Sequence, residues 1–160
     1  MENSFNNILF LTSFCCMVID GDIAKEELEQ LQVFAEEDKL FGDINVEEEL
    51  SKCINILKQI GPDFVKSYLE AIKENDFSDN EKYQILEIAV KTIYADEKIE
   101  YNEIKFFKSL CNHLNLSKES VIENVDNVEE YWLEDDIASS ASNIDFLHDI
   151  NFSQIDNNLS

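Results

Sequence analysis

Apolar residues recur along the chain at three- and four-residue spacing, and no stretch shows the strict alternation of a half-buried strand. Residues 5–19 (FNNILFLTSFCCMVI) are apolar on nearly every side, which predicts a central helix rather than a surface one. Residues 24–40 carry a stripe at Leu28, Leu31, Phe34 and Ala35 with acids opposite, the pattern of a helix lying on a core. A third helix is expected from residue 46 to 60, with Leu50, Cys53, Ile54 and Leu57 inward. Gly61-Pro62 ends it and starts another, because proline is preset for the first helical position. Phe64, Val65, Tyr68, Leu69 and Ile72 mark the buried side of that fourth helix.

A second central helix follows Ser78, which has Glu81 three residues on, the spacing of a capping box. Residues 100–114 turn Ile104, Phe107, Leu110 and Cys111 inward, and Ser117 opens a short helix. Glycine and proline are nearly absent, Gly21, Gly42, Gly61 and Pro62 being the whole set, so the helices are joined by short turns. The fold predicted is all-α: a single-domain bundle of about seven or eight helices.

Residues 1–125 are expected to form that helical domain, and 126–160 an acidic C-terminal helix and flexible tail. The tail carries nine acidic residues and no lysine. Tyr131, Trp132 and Leu133 have the character to pack back on the domain, while Phe146, Leu147, Ile150 and Phe152 have helix-like spacing. Such a segment suits a motif that folds on contact with a partner. Candidate partner-binding residues are Trp132, Asp135, Asp136, Phe146 and Phe152.

Charge narrows the function. Thirty-five acids oppose 12 basic residues, all lysine, for a formal net charge of -23. That surface repels phosphate backbones and anionic lipids, so direct nucleic-acid or membrane binding is disfavoured. It suits a protein partner with a basic surface or a cation, and it also keeps a protein soluble. Cys15, Cys16, Cys53 and Cys111 form no CxxC pair, so free buried thiols in a reducing compartment are expected rather than a disulfide framework or zinc site. The apolar run 8–19 is too short to span a bilayer and lacks a preceding positive charge, and Phe14 stands where a lipoprotein cleavage site needs a small residue. A cytoplasmic location is expected.

An internal repeat emerges when residues 85–111 are laid over 9–35. Asp20 falls on Asp96, Ile23 on Ile99, Glu27 on Glu103, Leu28 on Ile104, Leu31 on Phe107 and Phe34 on Leu110. Each half reads as a buried helix, an Asp turn and an amphipathic helix, giving the bundle an internal pseudo-two-fold repeat. The pattern Asp-x-x-Ile-x-x-x-Glu is similar to the second half of an EF-hand loop, but the earlier ligand positions would be Cys16 and Val18, or Thr92 and Tyr94, which are not calcium ligands. Two roles remain for the acids. One is local: Glu27 and Glu103 sit in a helix first turn, where a carboxylate meets exposed N–H groups. The other requires the two turns to converge, so that Asp20, Asp22, Glu27, Asp96 and Glu103 hold a divalent cation (calcium, magnesium or zinc), or, with Glu26 and Glu97, a lysine-rich partner. Lys98 in place of Asp22 and Asn102 in place of Glu26 weaken the second copy.

These residues resemble the tellurite-resistance TerB-like domains, a family that includes the N-terminal region of a DnaJ-type co-chaperone. The family's hallmark is a duplicated buried helix followed by Asp-Gly-x-Ile-x-x-x-Glu. IDGDIAKEEL (residues 19–28) matches it, ADEKIEYNEI (95–104) keeps all but the glycine, and HLNLSKESV (113–121) is similar to the closing short helix. The resemblance covers residues 5–125. It implies a helical bundle with two central helices and a non-enzymatic interaction or scaffold role in stress or anti-phage systems, with acidic residues as a metal site.

No catalytic constellation is expected. His113 and Cys111 point to different faces of one helix, His148 lies in the tail, and no glycine-rich phosphate loop exists. The alternative from another class is an acidic inhibitor, such as an immunity protein, antitoxin or anti-defence protein, occupying a basic site on its target.

Overall fold

The computed structural model describes residues 4–19, 21–95 and 98–134. Among them are seven α-helices: α1 (Phe5–Val18), α2 (Lys25–Glu36), α3 (Val46–Ile60), α4 (Pro62–Glu74), α5 (Asp79–Tyr94), α6 (Tyr101–His113) and α7 (Lys118–Asn124). A 3₁₀ turn, Glu130–Leu133, follows, and no strand occurs among the described residues. The all-helical expectation is met, and α3 runs over the residues its apolar stripe marks.

The helix starts follow from local chemistry. Ser4, Asn45 and Ser117 each accept a backbone N–H of the first turn that follows. At α5 the expected box is complete: Glu81 N donates to Ser78 Oγ at 3.2 Å, and Ser78 N to Glu81 Oε1 at 2.9 Å. Gly61 (φ +58°, ψ −131°) both ends α3 and caps α4, a backbone conformation open to glycine and strained for any residue with a Cβ. Helix α2 stops four residues short of the expected end at 40. Lys39 takes φ +52°, and the chain turns so that Leu40 N reaches Phe34 O at 2.9 Å.

Helix α1 is the axis of the bundle. Every residue from Asn7 to Val18 is buried, as expected of a helix apolar on nearly all sides. Its closest packing is with α5, and it also lies against α4. Phe14 meets Phe64 of α4 edge-on at 5.3 Å. Phe41, in the loop after α2, wedges between Phe10 at 5.4 Å and Phe34 at 6.2 Å.

The few polar side chains inside this core bond to one another. Thr12 and Thr92 each donate to the carbonyl four residues back, Ile8 O at 2.8 Å and Ile88 O at 2.9 Å. Their hydroxyl protons being so used, each accepts from a second helix: Tyr68 OH of α4 donates to Thr12 at 2.5 Å, and Ser13 donates to Thr92 at 2.9 Å. These bonds fix the register of α1 against α4 and α5, since sliding either helix would strand a buried hydroxyl. Tyr68→Phe keeps the ring and loses one such bond. It should lower stability by about 0.5–1.5 kcal/mol, read from the urea midpoint with the slope unchanged.

Candidate functional site

Glu27 and Glu103 occupy the third position of α2 and α6, and the structure gives both the same task. Glu27 Oε1 accepts the backbone N–H of Ala24 at 3.0 Å, and Glu103 Oε1 that of Glu100 at 2.9 Å. Ala24 has no side-chain acceptor and the Glu100 side chain makes no capping bond, so each helix start uses the glutamate half of the capping box alone. Both carboxylates are buried, at 2% and 1% exposure. Burial beside the positive end of a helix suits a carboxylate, because the first-turn N–H groups face it. Ile23 is buried ahead of α2, and Ile99 packs partly buried against the core ahead of α6.

The remaining turn acids behave differently. Asp22 is exposed, and its Oδ1 accepts from Ile23 N at 2.8 Å. Glu26 and Lys98 are exposed and Asn102 is half-buried. Asp20, Asp96, Glu97, Asp135, Asp136, Phe146 and Phe152 lie outside the described residues. The metal set expected from the sequence therefore divides. Glu27 and Glu103 fit poorly as cation ligands, since their carboxylates are buried within their own helix starts, and no group of three or more His, Cys, Asp or Glu side chains gathers among the described residues. Cys16, Val18 and Thr92 are buried helical residues of α1 and α5, so no EF-hand loop forms at these positions.

Trp132 corrects one partner-binding expectation. Its side chain is fully buried, lying 5.7 Å from the Tyr94 ring and edge-on to Phe107 at 5.4 Å. It belongs to the core and is not displayed to a partner. The packing it anchors extends the core past residue 125, to Leu133. The other expectation for this run is met: Trp132 and Leu133 pack back on the domain.

Two depressions escape a reading of spacing. One, of about 310 Å³, is lined by Asn7, Leu11, Glu49, Lys52, Cys53, Ile56 and Phe64. The other, more open, is lined by Gln30, Val90, Lys91, Tyr94, Ala95 and Asn127. The second brings Gln30 of α2 beside the C-terminal end of α5 and Asn127. Helical spacing marks Cys53 and Phe64 as inward-facing but cannot separate a core position from a cleft wall.

All four cysteines are buried and free. Burial raises the Cys15 and Cys111 thiols, and it pushes Cys53, with help from the Glu49 charge, up to about 12. Buried structural thiols are inert, so Ellman's reagent should react with none of the four in the native protein and with all of them after unfolding. In the unfolded chain the thiols ionise from about 9.0, whereas the fold keeps Cys53 protonated up to about 12. The unfolded state then binds fewer protons, and stability should fall as pH rises through that window. His113 closes α6, its Nδ1 lying 2.7 Å from Ser109 O.

Seven helices among the described residues, packed about the buried α1, with a glutamate holding the first turn of α2 and of α6, define a helical domain of the tellurite-resistance type. Residues 9–124 match the family Tellurite resistance protein TerB, and the chain belongs to that family. No curated protein and no solved structure matches the chain. Among the described residues, no helix is long and apolar enough to cross a membrane.

Proposed function

We propose that this chain is a non-enzymatic interaction module that docks a protein with a basic surface, acting in the cytoplasm in a stress response of the tellurite-resistance kind or in phage defence. The observation that carries this reading is the division of labour at the Asp turns. Glu27 and Glu103 are spent on holding α2 and α6 in place, while Asp22 and Glu26 remain exposed beside the first of these starts. Rigid helix ends bearing outward carboxylates, on a chain of net charge -23, favour a cationic partner and speed the encounter. The buried thiols and the helix-bonded His113 support a role without nucleophilic chemistry.

The same charge favours a second reading, an acidic inhibitor such as an immunity protein, antitoxin or anti-defence protein. Affinity purification from the native cell separates the two. A scaffold should recover a basic partner whose own activity persists in the complex. An inhibitor should recover a single basic toxin or nuclease and silence it. Either partner should be released as salt is raised, because screening weakens exposed charge pairs. Recovery of chaperones alone counts against both.

A divalent cation, if bound, would rest on Asp20 and Asp96 rather than on the two capping glutamates. Calcium, magnesium or zinc should then raise Tm, and Asp20→Asn with Asp96→Asn should abolish the rise. No shift with any of the three removes the cation from the reading.

A further inference from the structure

We propose that the cleft between α1 and α3 is a binding site for a small, uncharged, fused-ring aromatic molecule that carries a hydrogen-bonding group. Neither the Asp turns nor a protein partner enters this site, and every residue of its wall is helical.

The cleft arises from how the helices pack. Helix α4 packs against both α1 and α3, while α1 and α3 do not pack closely on each other. One side of the space between them is built by Glu49, Lys52, Cys53 and Ile56, whose three- and four-residue spacing puts them on one face of α3. That face runs beside the Leu50, Ile54 and Leu57 stripe that enters the core. Asn7 and Leu11, one turn apart on α1, form the opposite side, and Phe64 of α4 joins the two.

Size sets the bulk of the ligand. The cleft holds about 310 Å³. An apolar cavity of about 150 Å³ takes a single benzene, so roughly two fused rings fit here. Leu11, Cys53 and Phe64 are 2%, 5% and 1% exposed, so packed core fixes the inner wall before any ligand arrives. Rings seated against that wall add dispersion contacts on its open side.

Charge sets the ionisation of the ligand. The wall carries one cation and one anion, Lys52 Nζ and Glu49 Oε1, 4.0 Å apart. A charged group of either sign would sit beside a like charge and lose its water against an apolar surface. Burial keeps the Cys53 thiol neutral, so it adds no third charge. Asn7 is the buried polar residue of the wall, and its amide has both donors and an acceptor for a hydroxyl or amide on the ligand.

Equilibrium dialysis of the full chain against 2-naphthol near neutral pH, where this probe is uncharged, tests the site. Its anionic and cationic counterparts are 2-naphthoate and 2-naphthylmethylammonium. Uptake of 2-naphthol should saturate and be about tenfold tighter than that of either ion. Ile56→Trp places an indole in the cleft from a half-buried position and should weaken uptake about tenfold by occupying the space. Ile60→Trp, at a 42% exposed position of the same helix, should leave uptake unchanged. Glu49→Gln makes Lys52 the only charge of the wall and should shift preference toward 2-naphthoate. Unsaturable uptake of 2-naphthol, equal uptake of the three probes, or full uptake by the Ile56 variant would overturn the proposal. Should that variant fail to fold, the Glu49→Gln protein decides, and an unchanged order of the three probes overturns the assignment.

Discussion

Phe14→Ala is expected to lower the unfolding free energy by about 3–5 kcal/mol, the largest loss of any single substitution considered for this chain. Phe14 is fully buried at the middle of α1, a helix enclosed along its whole length, and it meets Phe64 edge-on. Neighbours on α1 are themselves fixed by the Thr12–Tyr68 and Ser13–Thr92 bonds, so the surrounding helices cannot close over the void without breaking buried polar contacts. The cost should therefore lie toward the upper end of the range. Phe14→Leu keeps much of the volume and should lose clearly less. Urea unfolding followed by circular dichroism checks both, and equal losses for Ala and Leu would show that the site collapses freely.

The second large effect is expected from Glu27→Ala and Glu103→Ala. Each removes the acceptor of an N-cap backbone N–H at a buried helix start, which should cost about 1–3 kcal/mol per site. The two glutamates serve different helices, so the losses should nearly add in the double variant. Glu27→Gln and Glu103→Gln retain an oxygen at the same place and should lose less. If the glutamates instead held a cation, the Gln variants would lose its stabilisation as fully as the Ala variants. Melting with and without chelator separates the two cases.

Much of the fold could be read from spacing because few residues conflict with it. Gly61-Pro62 fixes one boundary without ambiguity, since glycine tolerates the positive φ and proline starts the next helix. The centrality of α1 follows from its lack of a polar face. What spacing could not supply is the identity of partners distant in sequence. Thr12 and Tyr68 are 56 residues apart, and Ser13 and Thr92 are 79 apart; nothing local announces either bond. The end of α2 was misjudged because Lys39 and Leu40 are ordinary helix formers that the turn onto Phe41 overrides.

The candidate site divides along the same line. The capping role of Glu27 and Glu103 was legible because it is local, fixed by position within a first turn. For Trp132 the sequence supports both packing back on the domain and display to a partner, and the slot assembled from Tyr94 of α5 and Phe107 of α6 decides for packing. The grooves beside Cys53 and beside Ala95 depend on three elements each and leave no trace in one.

The interaction reading meets its most direct test in a charge reversal at the first Asp turn. Asp22→Lys with Glu26→Lys alters two exposed side chains while leaving the Glu27 bond to Ala24 N intact. Glu74→Lys with Glu123→Lys makes the same change in net charge at exposed positions elsewhere. All three proteins should show the same helical content. The basic partner recovered from the native cell by the unaltered chain should be retained by the Glu74/Glu123 variant and lost by the Asp22/Glu26 variant. Equal recovery by both variants would contradict a docking surface at the Asp turn.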